Sequence, residues 1–384
     1  MDVPTLFLFG IDVIRFSIDL ATAYGLYLIV SLTLNLEAGF TGIPNFGKVL
    51  FVAAGAAAVG FVCGRIAALV LGVNTFGDYN GHIQAIIPPL DKLLAANPVV
   101  ALEILFAGLA IAATIGAVLG LLTSYPAIRL REDYLGMLLL AAAQLFQIFL
   151  GGYEPLIGGS IGISVPDFFG WAGNGIEVRD VVVLGFVAVF AAVVYVYMER
   201  VARSPLGRTL RSIRDNEMAS RALGKRDVIM RRNVIMVASA ISAMAGALLA
   251  FYVGSVTPET WTRITWTFWI WVMLIVGGAG NNAGVALGAF AFTFLFKITD
   301  QIKFYFQGYI PFDVNWLEYL TFAALLILII AYRPGGILPE KSSVTLPWKT
   351  LAEIMQSKPK RSAGILGPGF ASESENVKKT GGDG

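Results

Sequence analysis

Residues 207–224 read GRTLRSIRDNEMASRALG, the only long polar helical stretch in a chain whose other segments are mostly apolar. Leu206, Leu210 and Ile213 recur at spacings of four and three, which places them on one helix face. Arg208, Arg211 and Arg214 gather on a different face. Ser204-Pro205 suits a helix start, with serine as N-cap and proline in the first turn. Gly224 suits the stop, because glycine accepts the left-handed conformation that ends helices. The pattern predicts one amphipathic helix over 206–223, with Arg211 and Asp215 as an i,i+4 pair worth about 0.2–0.5 kcal/mol. Two roles suit it. Anionic lipid would hold the arginines of an interfacial helix. Alternatively, the small residues Ala219, Ser220 and Ala222 in its second half let another protein approach closely.

Working outward, the 384 residues are 57% hydrophobic and only 14% charged, with a mean hydropathy of +0.73. Soluble domains carry roughly a quarter charged residues. Continuous apolar runs reach the roughly 20 residues that cross a bilayer as helix, and they do not alternate as barrel strands do. The expected fold is therefore all-α: a polytopic integral membrane helical bundle of about nine (8–10) transmembrane helices with a cytoplasmic amphipathic helix between two of them. The candidate spans are 14–36, 49–72, 101–123, 133–151, 180–199, 232–253, 263–281, 284–303 and 316–332. The first carries Asp19 and the polar run Ser31 to Asn35, and the seventh runs into Gly277–Gly280, so these two are the candidates for broken helices.

The basic residues orient the bundle. The 200–232 connection holds ten Lys and Arg, and the chain from Arg333 onward holds eight, together eighteen of twenty-eight. Four spans separate the two regions, so both lie on one face, and Arg129 and Arg131 join them. The connections 73–100 and 152–179 on the other face carry only Lys92 and Arg179. The basic face is the cytoplasmic one, and for nine spans the C-terminus lies inside and the N-terminus outside. Residues 1–340 are expected to form the transmembrane domain, with 200–232 as its basic cytoplasmic loop. Residues 341–384, rich in Ser, Lys, Gly and Pro, read as a disordered cytoplasmic tail. The start MDVPTLFLFGIDV has no basic n-region, so no cleaved signal peptide is expected.

The chemistry-bearing residues are few. One histidine, His82, and one cysteine, Cys63, exclude a histidine-based metal site and a Ser-His-Asp triad within the membrane, and a lone apolar-run cysteine reads as packing. No cofactor and no nucleic-acid partner is expected. There is no G-x-x-x-x-G-K-[ST] motif, so ATP-driven work would need another subunit. A charge at the centre of a span costs about 2.5–3.5 kcal/mol on insertion scales. Asp19, Arg65 and Lys297 stand as such charges, marking either a pathway or groups that snorkel or cap, and Asp300 is placed to neutralise Lys297. Gln144 and Gln147, three apart after Arg131-Glu132-Asp133-Tyr134, either line a path or bond between helices. Asp19, Gln144 and Gln147 are thus the candidate translocation path. Gly277, Gly278 and Gly280 read as a structural turn, with anion binding by their amides as the rival role. Trp261 suits a membrane interface, whereas Trp266, Trp269 and Trp271 suit the bundle interior.

GRTLRSIRDNEMASRALGKRD resembles the cytoplasmic coupling loop of ABC importer permeases for branched-chain amino acids, the LivM type. Met218-Ala219-Ser220 stands where the family's EAA-like triplet falls, with Glu217 before it and Gly224 after it. Ala245-Gly246-Ala247-Leu248-Leu249-Ala250 with Ser255 to Pro258 is similar to its AGALLA…SP segment, and Val276 to Gly280 with Gly284 to its VGGxGxxxG turn. Tyr332-Arg333-Pro334-Gly335-Gly336-Ile337-Leu338 resembles its RPxGL terminus. Leu34-Asn35-Leu36 and GFTGIPNFG, residues 39–47, resemble its LNL…TG…SLG segment. The order holds over residues 20–340, with departures at Pro44-Asn45-Phe46, Asn281-Asn282 and the tail.

The resemblance implies a permease in the cytoplasmic membrane that is not itself an enzyme. It implies four kinds of partner: a second permease chain of the LivH type, cytoplasmic ATP-binding subunits, an extracytoplasmic substrate-binding protein, and membrane lipid. Leucine, isoleucine and valine would be carried by ATP-driven alternating access. Asp215, Glu217, Met218, Ala219, Ser220 and Gly224 become the ATPase-coupling residues, with the arginine-rich first half as a lipid-facing or span-connecting lever. Urea or short-chain amide importers use similar permeases, and an ion-coupled secondary transporter with Asp19 as its acid is the remaining alternative.

Overall fold

A computed structural model describes residues 7–8, 11–75, 77–130, 132–173, 176–303 and 313–340. The expected tail, 341–384, lies outside the described residues, as does Arg131.

Among the described residues seven helices are long and apolar enough to cross a membrane, and two more are apolar but short. Helix α1 (Val13–Leu34) continues into a π-helical turn, Asn35–Phe40. Helix α2 (Lys48–Leu71) follows, capped by left-handed Gly72. Next come α3 (Ile83–Ala96), α4 (Pro98–Arg129), α5 (Glu132–Gly152), the short α6 (Glu154–Ile157) and α7 (Ile176–Arg203). Helices α8 (Pro205–Asp215) and α9 (Glu217–Ala222) precede α10 (Asp227–Val253). The chain ends in α11 (Trp269–Gly277), α12 (Asn282–Ile302) and α13 (Trp316–Tyr332).

The first span is long enough to cross, 28 residues including its π turn. The seventh is not. A π-helical turn, Ile264–Phe268, leads into α11, and the 14 residues from Ile264 to Gly277 rise about 21 Å against a hydrocarbon core of about 30 Å. The ninth, α13, is 17 residues long.

Helices α2, α4 and α10 pack together at the centre, and α1 joins them to α7 and α12. α2 and α10 are the most buried spans, α5 and α7 the least. Small residues let α2 and α10 touch backbone to backbone. A Cβ at Gly55 would fall 1.9 Å from the Ala243 carbonyl oxygen, and one at Gly246 1.9 Å from that of Val52. Apolar helices in lipid gain little from hydrophobic exclusion, so such close approach supplies their contact.

On the outer side, amphipathic α3 buries Ile86, Leu90 and Leu94. A two-residue strand β3 (Ile163–Ser164) pairs antiparallel with β4 (Ser255–Val256), joining the 153–175 connection to the end of α10. A second short ribbon, β1 (Phe7–Leu8) with β2 (Ile11–Asp12), precedes α1.

Candidate coupling site and translocation face

The polar stretch is two helices rather than one. Asn216 is extended (φ −158°, ψ 103°), which ends α8, and its side-chain oxygen accepts from Ala219 N at 3.0 Å, which starts α9. An asparagine competes with helical hydrogen bonds through its own side chain, so it favours a cap over a helix interior. Upstream, Ser204 Oγ accepts from Gly207 N at 3.4 Å with Pro205 opening α8, and downstream Gly224 (φ +76°) ends the motif.

Gly207, Leu210 and Ile213 are buried, but Leu206 is exposed and does not share their face with the core. Gly207 is needed where it stands: a Cβ there would fall 2.4 Å from the Ala202 carbonyl oxygen. Ser220 Oγ donates to Ser212 Oγ at 3.1 Å and joins α9 to α8.

The arginines of α8 are engaged with protein. Arg211 Nε lies 2.9 Å from Glu340 Oε1, in place of the predicted pair with Asp215, and its guanidinium sits 4.9 Å from the Phe40 ring centre. Arg214 Nη1 lies 2.8 Å from Glu340 Oε2 and donates to the Gly39 carbonyl, while its Nε donates to Asp215 at 3.1 Å. Burial lowers the Arg214 pKa, but Glu340 and then Asp215 outweigh it and hold the group above its ordinary value. A lipid-facing role survives only for exposed Arg208.

Helix α9 is bound to the first turns of α10. Arg221 donates to Glu217 and, at 2.7 Å, to Asp227, and Arg231 lies 3.0 Å from Glu217. The hydrogen bond to Asp227, then the charges of Asp227 and Glu217, raise the Arg221 pKa. With its one acid, Glu217, turned to α10, α9 and its C-cap present Met218 and Leu223, 81% and 79% exposed, together with Ala219 and Ala222. Val228 and Ile229 continue this exposed apolar surface at the start of α10.

The glycine turn sits directly behind α8. Gly278 (φ +108°) and Gly280 (φ +81°) adopt conformations that favour glycine. The chain returns past it: Ile337 N donates to Val276 O at 2.9 Å and Leu338 N to Gly277 O at 3.0 Å. A Cβ on Gly277 would fall 2.3 Å from the Gly284 carbonyl oxygen. Asn35 Oδ1 accepts from Gly280 N at 2.8 Å and its amide donates to Asn282 at 2.9 Å. Asn282 in turn donates to Glu199, the partner of Arg203.

The predicted path residues occupy separate settings. Tyr252 donates to Asp19 at 2.6 Å, at the outer ends of α10 and α1. Gln147 donates to the Pro258 carbonyl at 3.2 Å, and half-buried Gln144 has no hydrogen bond among the described residues. Arg65 lies at the outer end of α2, bonded to Asn80 and packed on Phe61 and Tyr79. Asp300 pairs with Lys303, not with Lys297. Trp261 is fully buried rather than interfacial, 5.8 Å from Trp266 between ring centres.

Sequence patterning missed four groups. Glu340 sits past the last span. Glu37 and Lys48 fall at span ends and form a fully buried ion pair of 2.7 Å. Arg263 reads as the edge of a span. For Glu37 and Lys48 a signal existed: each is a lone charge beside an apolar run.

Seven long apolar helices, a broken one and a polar motif bound to a basic face describe a multi-pass permease of the cell membrane. Residues 16–330 match the family model described as branched-chain amino acid transport system / permease component, and the chain belongs to that family. It is 38% identical over 340 residues to a Methanocaldococcus jannaschii protein named "Probable branched-chain amino acid transport permease protein LivM", a match covering 87% of this chain and 97% of that one. It is 26% identical over 347 residues to the high-affinity branched-chain amino acid transport system permease proteins LivM of Salmonella typhimurium and Escherichia coli, covering 85% of this chain and 70% of each of theirs. No solved structure gives a significant match.

Proposed function

We propose that this chain is one membrane-spanning subunit of an ABC importer for leucine, isoleucine and valine. It works with a second, LivH-type permease chain, with cytoplasmic ATP-binding subunits that hydrolyse ATP, and with an extracytoplasmic substrate-binding protein. Helices α8 and α9 receive the movement of the ATPases. The residues that dock are Met218, Ala219 and Leu223 on the exposed side of α9. Glu217 acts from beneath by anchoring α9 to Arg231 of α10, beside the Arg221–Asp227 pair.

The observation that carries this reading is the pairing of an exposed apolar surface with a rigid mount. Met218, on a six-residue helix, and Leu223, at its C-cap, stand largely exposed, while the helix's charged groups bind α10. Exposed apolar patches rimmed by charge mark protein contact sites. The mount matters equally, because a lever transmits force only if it is joined to the bundle. Through Arg214, Glu340 and Gly39 the same motif reaches the inner end of α1.

The test is co-purification of the ATP-binding subunits with the chain bearing Met218→Asp and Leu223→Asp. Retention of the ATPases is expected to fall at least about tenfold, since two apolar side chains at a contact centre are each worth over about 1 kcal/mol. Wild-type retention in a folded double variant would remove α9 as the docking element.

A further inference from the structure

The least helical part of the bundle lies inside the membrane. From left-handed Gly254 the chain runs through β4 and a 3-10 turn, Pro258–Thr260, and becomes helical again only at Arg263. Its depth follows from its neighbours. Gln147, five residues before the outer end of α5, bonds to the Pro258 carbonyl. Gly277, at the other end of the same segment, lies in the glycine turn behind cytoplasmic α8. Arg263 precedes Gly277 by 14 residues, about 21 Å of helix rise. It therefore stands within the hydrocarbon layer.

A second irregular segment meets it there. Residues 41–47 join the π turn to α2 without helix. Trp271 donates to the Asn45 carbonyl at 3.3 Å and stacks on Phe46 with ring centres 4.7 Å apart. Val49 N donates to Thr267 at 3.2 Å. Between the two segments and α5 lies a cavity of about 320 Å³ lined by Phe46, Leu140, Arg263, Phe268 and Trp271, among others.

Among the described residues Arg263 is the only charged group on that lining. It is exposed, and it makes no hydrogen bond or ion pair among the described residues. The buried indole N–H groups of Trp261 and Trp266, in the same segment, also lack partners. An unpaired guanidinium and non-helical backbone at this depth are both excluded from contact with lipid tails and need a protein or water surround. One cation at the rim of a cavity whose other lining residues, Thr267 apart, are aliphatic or aromatic is complementary to a molecule with a carboxylate at one end and an aliphatic group at the other.

We propose that Arg263 binds the α-carboxylate of the amino acid in transit, whose aliphatic side chain enters the Phe46–Leu140–Phe268–Trp271 cavity. The site is an intramembrane subsite on the face this chain turns toward the translocation path. Discontinuous helices meeting near the midplane provide such sites because their free backbone groups and side chains can face water. The assignment rests on the amino-acid importer function proposed above and adds where the chain handles its cargo.

The experiment uses the complete importer in proteoliposomes with ATP inside and radiolabelled leucine outside. Arg263→Gln is expected to assemble with its partner subunits and to lower leucine uptake about tenfold or more, the effect of losing one charge-assisted pair, with Arg263→Lys retaining more uptake than Arg263→Gln. In a separate arm, Arg263→Cys is treated with an anionic, membrane-impermeant thiosulfonate and labelling is read on this chain, whose one native thiol, Cys63, is buried. Modification is expected, and leucine supplied during turnover is expected to slow it. Wild-type uptake by an assembled Arg263→Gln importer overturns the subsite while leaving the importer function intact. A cysteine at 263 that reacts only with a lipophilic maleimide also overturns it, since the position then faces lipid or a sealed interface. Wild-type vesicles that take up no branched-chain amino acid overturn the importer function and this subsite together.

Discussion

Lys48 Nζ lies 2.7 Å from Glu37 Oε2, and both side chains are fully buried. The pair joins the π turn that ends α1 to the first residue of α2. It is also completely solvated by protein. Asn45 donates to both Glu37 oxygens, and Lys48 donates to Thr33 and Ser242 at 3.1 and 3.3 Å. Ser242 brings in α10. Three helices and one irregular loop therefore meet on a neutralised pair in place of continuous backbone hydrogen bonding.

Removing one partner leaves the other charge buried and unpaired, which costs about 3–5 kcal/mol. Glu37→Gln and Lys48→Met are each expected to lower thermal stability strongly in detergent. The double variant is expected to recover much of the loss, because no net charge then remains in the core. A double-mutant cycle on unfolding temperature checks this; additive single effects would show that the two residues do not act as a pair.

The α2–α10 crossing makes a second prediction. At Gly55 and Gly246 any Cβ would land on a carbonyl oxygen 1.9 Å away, so alanine there forces the helix backbones apart. Gly55→Ala and Gly246→Ala are expected to cost about 1–3 kcal/mol each, the penalty of overpacking. Gly185, in the middle of α7, has open space around it, and Gly185→Ala is expected to be neutral or stabilising by up to about 1 kcal/mol. Thermal unfolding of the three variants separates packing from helix propensity.

Most of the bundle was legible in apolar run length. An apolar helix stands at each of the nine predicted places, seven of them long enough to span, because membrane insertion depends on a sum over about twenty residues, which composition reports directly. Irregular backbone was harder. The break at Asn216 depends on one side chain capping Ala219, and helical periodicity passes straight across it. Glu340 was invisible because its partners, Arg211 and Arg214, lie more than 120 residues earlier. Pairing that Arg211 with Asp215 followed a local rule that a distant carboxylate overrode. Arg263 was overlooked for a related reason: it looks like the flank of a span unless the span is known to start deep in the membrane.

The break in the coupling motif predicts a graded effect. Asn216→Ala removes the cap of α9 and is expected to cost about 1 kcal/mol locally. Asn216→Leu, which favours running α8 and α9 into one helix, is expected to turn Met218 and Leu223 away from their present direction. Transport and ATPase retention should fall further for Asn216→Leu than for Asn216→Ala, with both proteins folded. Equal effects would mean that α9 needs only to be present, whatever its angle.

Glu340 joins the returning C-terminal segment to α8 through two arginines, and Arg214 carries the link on to the Gly39 carbonyl. The segment is itself held by backbone hydrogen bonds to Val276 and Gly277. Glu340→Ala is therefore expected to free α8 without unfolding the bundle, leaving Arg211 and Arg214 half-buried and short of a counter-charge. If α8 transmits ATPase movement, this variant hydrolyses ATP normally but imports several-fold less leucine per ATP. Glu340→Asp keeps the charge at shorter reach and is expected to fall between the two. Deleting residues 345–384 keeps Glu340 and is expected to leave transport unchanged. A deletion as damaging as Glu340→Ala would move the important contact from this carboxylate into the tail. Measuring uptake and hydrolysis together in one proteoliposome preparation distinguishes lost coupling from lost assembly, because only the former spares the ATPase.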